Sequence, residues 1–107
     1  MLKGDLNSVK GNNNAVQGNE NMLAGDSNAV NGNKNAVGGH NNTVGGSENV
    51  VLGDKNDLKN ADKNMVNGSR NSITNGSNNM LQGSDNKVTG HGNKMLTDNS
   101  TISGNKN

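Results

Sequence analysis

The sequence contains no aromatic residue, no proline and no cysteine, and only 26% of its 107 residues are hydrophobic. Without cysteine no disulfide holds the chain together, and the sequence does not indicate whether the protein works in an oxidising or a reducing compartment. Without aromatic residues and with so few aliphatic ones, composition alone is typical of a disordered chain. The length allows at most one domain, which we place at residues 1–107.

Strong charge and long apolar runs are missing as well. The net charge of +1 gives no reason to expect nucleic acid or an anionic membrane as a partner. No apolar run approaches the ~20 residues that cross a bilayer. The first residues, MLKGDLNSVK, lack the apolar segment of a signal peptide, so a secreted natural protein would have lost its leader in this sequence.

One seven-residue unit, Gly-x-x-Asn-x-Val-x, is repeated along the whole chain. Disordered low-complexity chains do not place an aliphatic residue at every seventh position, so this periodicity outweighs the composition. The unit becomes less regular after residue 59. The clear copies are GDLNSVK at 4–10, GNNNAVQ at 11–17, GNENMLA at 18–24, GDSNAVN at 25–31, GNKNAVG at 32–38, GHNNTVG at 39–45, GSENVVL at 46–52 and GDKNDLK at 53–59.

The unit predicts a short strand and not a helical heptad. Glycine costs ~1 kcal/mol per helical position, and a coiled coil needs two apolar positions per heptad where this unit has one. Asn-x-Val-x-Gly instead predicts a three-residue strand between turn-forming residues, with valine on one face and its neighbours on the other. Two units form one coil, and stacked coils form an all-β parallel β-solenoid with two flat sheets.

We expect seven to eight coils, a rod of ~35 Å and a thin aliphatic core, since neighbouring strands lie ~4.8 Å apart. Asparagines stacked before each strand are expected to form a hydrogen-bonded ladder. The predicted inward residues are Leu2, Val9, Val16, Leu23, Val30, Val37, Val44, Val51, Leu58, Val66, Ile73, Leu81, Val88, Met95 or Leu96, and Ile102. The predicted ladder residues are Asn7, Asn14, Asn21, Asn28, Asn35, Asn42, Asn49 and Asn56.

The spacing of the unit changes in the second half of the chain. Asn60 and Asn75 each add one residue at the same corner, so coils of 14 residues give way to coils of 15. Two registers remain open at residues 90–103. Met95 inward keeps the seven-residue spacing, whereas Leu96 inward repeats the eight-residue step.

The solenoid has two outward surfaces, which we name face one and face two. Face one covers the sheet that contains Leu2 and Val16, and it mixes charged residues with scattered serine and threonine. Face two covers the sheet that contains Val9 and Leu23. It carries no charge between its end residues and is partly apolar, so it is the candidate binding surface. Its candidate residues are Ser8, Met22, Ala24, Ala36, Gly38, Val50, Leu52, Met65, Asn67, Met80, Gln82 and, in the Leu96 register, Thr97.

The strict heptad, the strings NMLAG at 21–25 and LTDN at 96–99, and the eight-residue steps at one corner resemble the ice-binding, ice-recrystallisation-inhibiting proteins of cold-tolerant grasses such as perennial ryegrass. The resemblance covers nearly the whole chain. It implies a left-handed β-roll, an extracellular location (the apoplast in a plant) and adsorption to the ice crystal surface through one flat face, here face two. That family's ice face is dominated by threonine and serine, whereas face two carries Met22, Met65 and Met80.

A weaker resemblance, through NSV at 7–9 and NAV at 14–16, 28–30 and 35–37, is to the head repeats of trimeric autotransporter adhesins. It implies a structural or adhesive module with face two as a subunit interface. We predict an antifreeze protein that acts as a monomer and inhibits ice recrystallisation, and we keep the adhesive module as the alternative.

No enzymatic activity, cofactor or metal site is predicted. His40 and His91 lie at corners where other units carry asparagine, aspartate or serine, so we interpret them as solvated turn residues. Gly-Asp pairs occur in calcium-binding repeats, but those repeats have a nine-residue period that this chain lacks. The glycines also lack the strand–loop–helix context of a phosphate-binding loop.

Overall fold

The computed structural model describes residues 1–106 and confirms an all-β parallel β-solenoid, which has no helix in that range. The odd-numbered strands form an eight-stranded sheet beneath face one, and the even-numbered strands form a seven-stranded sheet beneath face two. The Cα extents are 36 × 19 × 13 Å, close to the length expected for the rod. The strands are β1 (Leu2–Lys3), β2 (Ser8–Lys10), β3 (Ala15–Gln17), β4 (Met22–Ala24), β5 (Ala29–Asn31), β6 (Ala36–Gly38), β7 (Thr43–Gly45), β8 (Val50–Leu52), β9 (Asp57–Lys59), β10 (Met65–Asn67), β11 (Ser72–Thr74), β12 (Met80–Gln82), β13 (Lys87–Thr89), β14 (Lys94–Met95) and β15 (Thr101–Ser103).

The middle residue of each strand points into the narrow space between the sheets, as the alternation predicts. Two predicted core residues differ. Leu2 is 56% and Val9 37% exposed, because within residues 1–106 no coil packs on the outer side of the first one. Ile102 is half-buried against the last core residues. The buried apolar residues are Val16, Leu23, Val30, Val37, Val44, Val51, Leu58, Ala61, Val66, Ile73, Leu81, Val88 and Met95.

Asparagine ladders run along both corners, as predicted, and continue beyond Asn56. Asn42 illustrates the pattern: its backbone N–H donates to Asn28 Oδ1 at 3.0 Å, and its Nδ2 donates to the same oxygen at 3.1 Å. Nδ2 also donates to the Gly53 carbonyl at 2.7 Å. The side-chain amide thus satisfies corner groups that no strand pairing reaches. The further buried members are Asn64, Asn71, Asn79, Asn86 and Asn93.

The glycine that follows most strands is required by both conformation and space. Gly32 has φ +148°, and a Cβ there would lie 1.8 Å from the Gly46 carbonyl oxygen of the next coil. Where Asn60 is inserted, that residue takes the positive φ of 50° instead, and the following Ala61 is fully buried. At this corner alanine therefore stands where most coils have glycine.

The register at residues 90–103 follows Met95. Met95 pairs with Leu81 and is 3% exposed, whereas Leu96 is 61% exposed. The alternative register, with Thr97 on face two, is wrong. The Thr97 carbonyl accepts a hydrogen bond from Asn86 Nδ2, so Thr97 lies at the corner, in the place that glycine holds in most coils. No helix in residues 1–106 is long and apolar enough to cross a membrane.

Candidate functional site: face two of the solenoid

Face two consists of two straight rows of outward side chains, because its strands pair residue for residue. Adjacent members of a row lie ~4.8 Å apart, and the two rows lie ~6.7 Å apart along the strands. Every predicted face-two residue except Thr97 lies in one of these rows. The leading row is Ser8, Met22, Ala36, Val50, Met65, Met80 and Lys94, and the trailing row is Lys10, Ala24, Gly38, Leu52, Asn67 and Gln82.

The centre of face two is flatter than its margins. Ala36, Gly38 and Val50 are only half-exposed, so their atoms lie close to the plane of the sheet. Leu52 leans towards Gly38, since a Cβ built on Gly38 would lie 3.1 Å from Leu52 Cδ2. Met65, by contrast, is an exposed long side chain beyond this centre. The smoothest area is therefore formed by Ala36, Gly38 and Val50 on β6 and β8, and the exposed Leu52 lies at its edge.

Charged groups lie away from this area. Lys10 and Lys94 mark the two ends of face two, and no Asp, Glu, Lys or Arg belongs to the strands between them. Ionic contacts lie instead on face one and at the corners. Arg70 and Asp85, for example, form a bidentate ion pair at 2.6 and 2.8 Å. The hydrogen bond from Arg70 lowers the pKa of Asp85 below its ordinary value.

Each corner also carries a second ladder, which the sequence analysis missed. The residue after the corner glycine accepts, through its side chain, the backbone N–H of its counterpart one coil earlier. Asp26 N donates to His40 Nδ1 at 3.1 Å, and His40 N donates to Asp54 Oδ1 at 2.7 Å. Ser77 N donates to His91 Nδ1 at 3.0 Å. The two histidines are therefore structural acceptors and more than solvated turn residues. The sequence pattern that could have predicted this ladder is that the position holds only Asn, Asp, Ser or His, each with a side-chain hydrogen-bond acceptor.

Face one carries an open groove of about 510 Å³ over its first five strands. Its outward rows there consist mainly of alanine and side-chain amides, and Lys3 and Lys59 lie at its two ends. No His, Asp or Glu side chain lines the groove. Within residues 1–106, no three His, Asp or Glu side chains are placed to hold a metal ion. Face one thus offers a largely apolar groove bounded by Lys3 and Lys59, and face two has the longer run of strands without charged residues.

Comparisons with known proteins agree with the fold. The crystal structure of the pre-mature bacteriophage phi29 gene product 12 matches 99% of this chain with a TM-score of 0.61 and 10% identity, a likeness of fold alone. This chain spans only 15% of that chain. Comparison with curated protein sequences gives no match.

A family model described as the grass antifreeze beta roll matches residues 1–60, from β1 through β9. Because this match covers more than half of the chain, the protein belongs to the grass antifreeze β-roll family, a family of ice-binding proteins.

Proposed function

We propose that the protein adsorbs to ice through face two and thereby inhibits ice recrystallisation. The observation that carries this proposal is the pair of in-register, uncharged rows between Lys10 and Lys94. Face one supports the proposal less well, because Asp57, Lys59 and Lys87 interrupt its rows. Charged side chains hold their own hydration shells, which compete with an ordered water layer.

Regular spacing makes many weak contacts act together. Strand pairing and the asparagine ladders fix the rows, so a water layer ordered on one coil continues on the next. Burial of apolar surface contributes about 25 cal/mol per Å². About 200 Å² of flat contact in register would then contribute about 5 kcal/mol, a factor of several thousand in affinity. A surface held in place before binding loses little entropy on adsorption.

The methionines determine where on face two this adsorption is strongest. Immobilising a buried methionine costs up to ~2 kcal/mol of side-chain entropy. Met65 and Met80 are long and exposed, so they order water poorly. Ala36 and Val50 have few or no rotamers to lose and lie in the flat centre. We therefore place the main ice contact on β6 and β8, with weaker activity than a threonine-rich face would give.

The remaining parts of the proposal rest on membership of the grass antifreeze β-roll family. We propose a monomeric, non-enzymatic protein that works outside the cell, in the apoplast if the source is a plant. The alternative is an adhesive module in which another subunit covers the exposed apolar side chains of face two, such as Met22 and Leu52. The two hypotheses differ in what face two contacts in solution, namely water or protein.

Two matched tyrosine substitutions test the proposal. Ala36 and Ala29 are each the first residue of a strand. Ala36 begins β6 on face two, and Ala29 begins β5, the preceding strand in the sequence, on face one. In ice-recrystallisation and thermal-hysteresis assays, Ala36→Tyr is expected to abolish activity, because the ring lifts the flat centre off the ice. Ala29→Tyr is expected to retain it. Circular dichroism and thermal melting establish that both variants fold.

The possible results separate the hypotheses. Loss of activity in Ala29→Tyr with retention in Ala36→Tyr would assign ice binding to face one and refute the proposal. An inactive wild type that sediments as a stable trimer would favour the adhesive module. An inactive wild type that remains a monomer would also refute ice adsorption.

A further inference from the structure

Three asparagines in this chain are followed directly by glycine: Asn31, Asn67 and Asn75. In such a pair the backbone nitrogen of the glycine can attack the side-chain amide carbon of the asparagine, since glycine has no side chain to obstruct the approach. The solenoid holds these three pairs in different environments. The difference concerns the hydrogen bond of the attacking nitrogen.

At the first two pairs the nitrogen is engaged. Asn31 and Asn67 are the last residues of β5 and β10. Gly32 N donates to the Gln17 carbonyl at 2.9 Å, and Gly68 N donates to the Leu52 carbonyl at 2.9 Å. Attack by either nitrogen would break a hydrogen bond between coils. Both sites are therefore protected in the folded protein.

At Asn75 the nitrogen is not engaged. Asn75 is the inserted corner residue, exposed and with φ 50°. Gly76 is buried, yet its N–H donates no hydrogen bond to any of residues 1–106. A buried N–H without a partner is costly, and closure of a ring through this nitrogen removes that N–H. The reaction thus relieves an unfavourable group at Gly76, whereas it would break a favourable bond at Gly32 or Gly68.

The electrophile at this site is polarised as well. Asn60, the inserted residue of the preceding coil, donates from Nδ2 to Asn75 Oδ1 at 3.1 Å. A hydrogen bond to the carbonyl oxygen draws electron density from the amide carbon and stabilises the oxyanion that forms on attack. No such donor reaches the side chain of Asn31 or Asn67 within residues 1–106.

We propose that Asn75 is a self-modification site, which converts to aspartyl and isoaspartyl forms while the other two asparagine–glycine pairs persist. Gly76 N loses its proton to water and forms a bond to Asn75 Cγ, and the side-chain nitrogen leaves as ammonia. The resulting five-membered succinimide then adds water. Opening at one carbonyl gives aspartate, and opening at the other gives isoaspartate, in which the main chain runs through the former side chain. Water is the only co-reactant, and either product adds one negative charge to this corner.

Incubation of the folded protein at mildly alkaline pH, followed by peptide mapping with mass spectrometry, tests the proposal. Asn75 is expected to convert at least about fivefold faster than Asn31 and Asn67, as the loss of one hydrogen bond at the protected sites implies. In urea the three rates should converge, because unfolding frees every glycine N–H. Equal rates in the folded protein would overturn the proposal. So would a preference for Asn75 that persists unchanged in urea, since local sequence and not the fold would then set it.

The variant Asn60→Gly tests the polarising hydrogen bond. Glycine accepts the positive φ of this position, so the corner is retained while the donor is lost. Conversion of Asn75 is expected to slow severalfold relative to the parent protein, with Asn31 and Asn67 unchanged. An unaltered rate at Asn75 in a folded variant would refute the role of Asn60. None of these outcomes depends on whether the protein binds ice.

Discussion

Replacing Asn42 by alanine is expected to destabilise the solenoid strongly, because one side chain serves three coils. Asn42 Nδ2 donates to the Gly53 carbonyl, and Asn42 Oδ1 accepts from both the backbone nitrogen and Nδ2 of Asn56. The substitution leaves the buried Asn56 backbone N–H and the half-buried Gly53 carbonyl without a partner, whereas Asn56 Nδ2 keeps its hydrogen bond to the Gly68 carbonyl. Each unsatisfied group costs about 1–3 kcal/mol, so we expect a loss of at least about 2 kcal/mol. A domain of this kind has only about 5–15 kcal/mol of stability in total.

Chemical denaturation of the wild type, Asn42→Ala and a control, Asn31→Ala, measures this loss. Asn31 is an exposed asparagine on face one, and its substitution is expected to change the free energy of unfolding by less than about 0.5 kcal/mol. A solenoid is stabilised chiefly by neighbouring coils. If the ladder couples neighbouring coils, Asn42→Ala can also unfold in a broad transition, in which the two halves of the rod unfold separately. Equal stabilities for the two variants would refute the role of the ladder.

Two further predictions concern the corners. Gly32→Ala should lower the unfolding free energy by more than about 3 kcal/mol, since its Cβ would overlap a carbonyl oxygen of the next coil at 1.8 Å. Gly45→Ala, whose Cβ would lie 3.4 Å from its nearest neighbour, should change it little, and thermal melting of both variants checks the pair. The pKa of Asp85 is lowered by Arg70 from the value of 3.8. The ion pair therefore stabilises the fold above that value, and its contribution is lost as the pH falls through the folded-state pKa. A pH titration of stability for Asp85→Asn should lack this part of the acid dependence, and a curve identical to the wild type would contradict the assignment.

The period of the sequence was sufficient to predict the strands, the inward positions and the asparagine ladders. These features depend on one repeated requirement, an aliphatic residue between sheets and a turn before each strand. Ala61 was missed, because its burial arises from a corner widened by Asn60 and not from the strand pattern. Met95 and Leu96 are both apolar, so hydrophobicity alone could not choose the register.

The sequence predicted which residues lie on face two but not how their side chains are oriented on it. Alternation assigns Gly38 and Leu52 to face two, yet the lean of Leu52 towards Gly38 depends on side-chain rotamers in the stacked coils. The second corner ladder was missed for a different reason. Asn, Asp, Ser and His look chemically diverse at that position, and what they share, an acceptor atom at the same height, becomes evident only when coils are stacked. The assignment of ice binding to face two stays a prediction.

The partition of the protein into growing ice tests the central claim most directly. A slowly frozen solution of wild type, Ala36→Tyr and Ala29→Tyr, each carrying a distinguishable label, is separated into ice and liquid, and the amount of each protein in the ice is measured. We predict that wild type and Ala29→Tyr are enriched in the ice and that folded Ala36→Tyr stays in the liquid. Equal partitioning of Ala36→Tyr and wild type would contradict adsorption through face two.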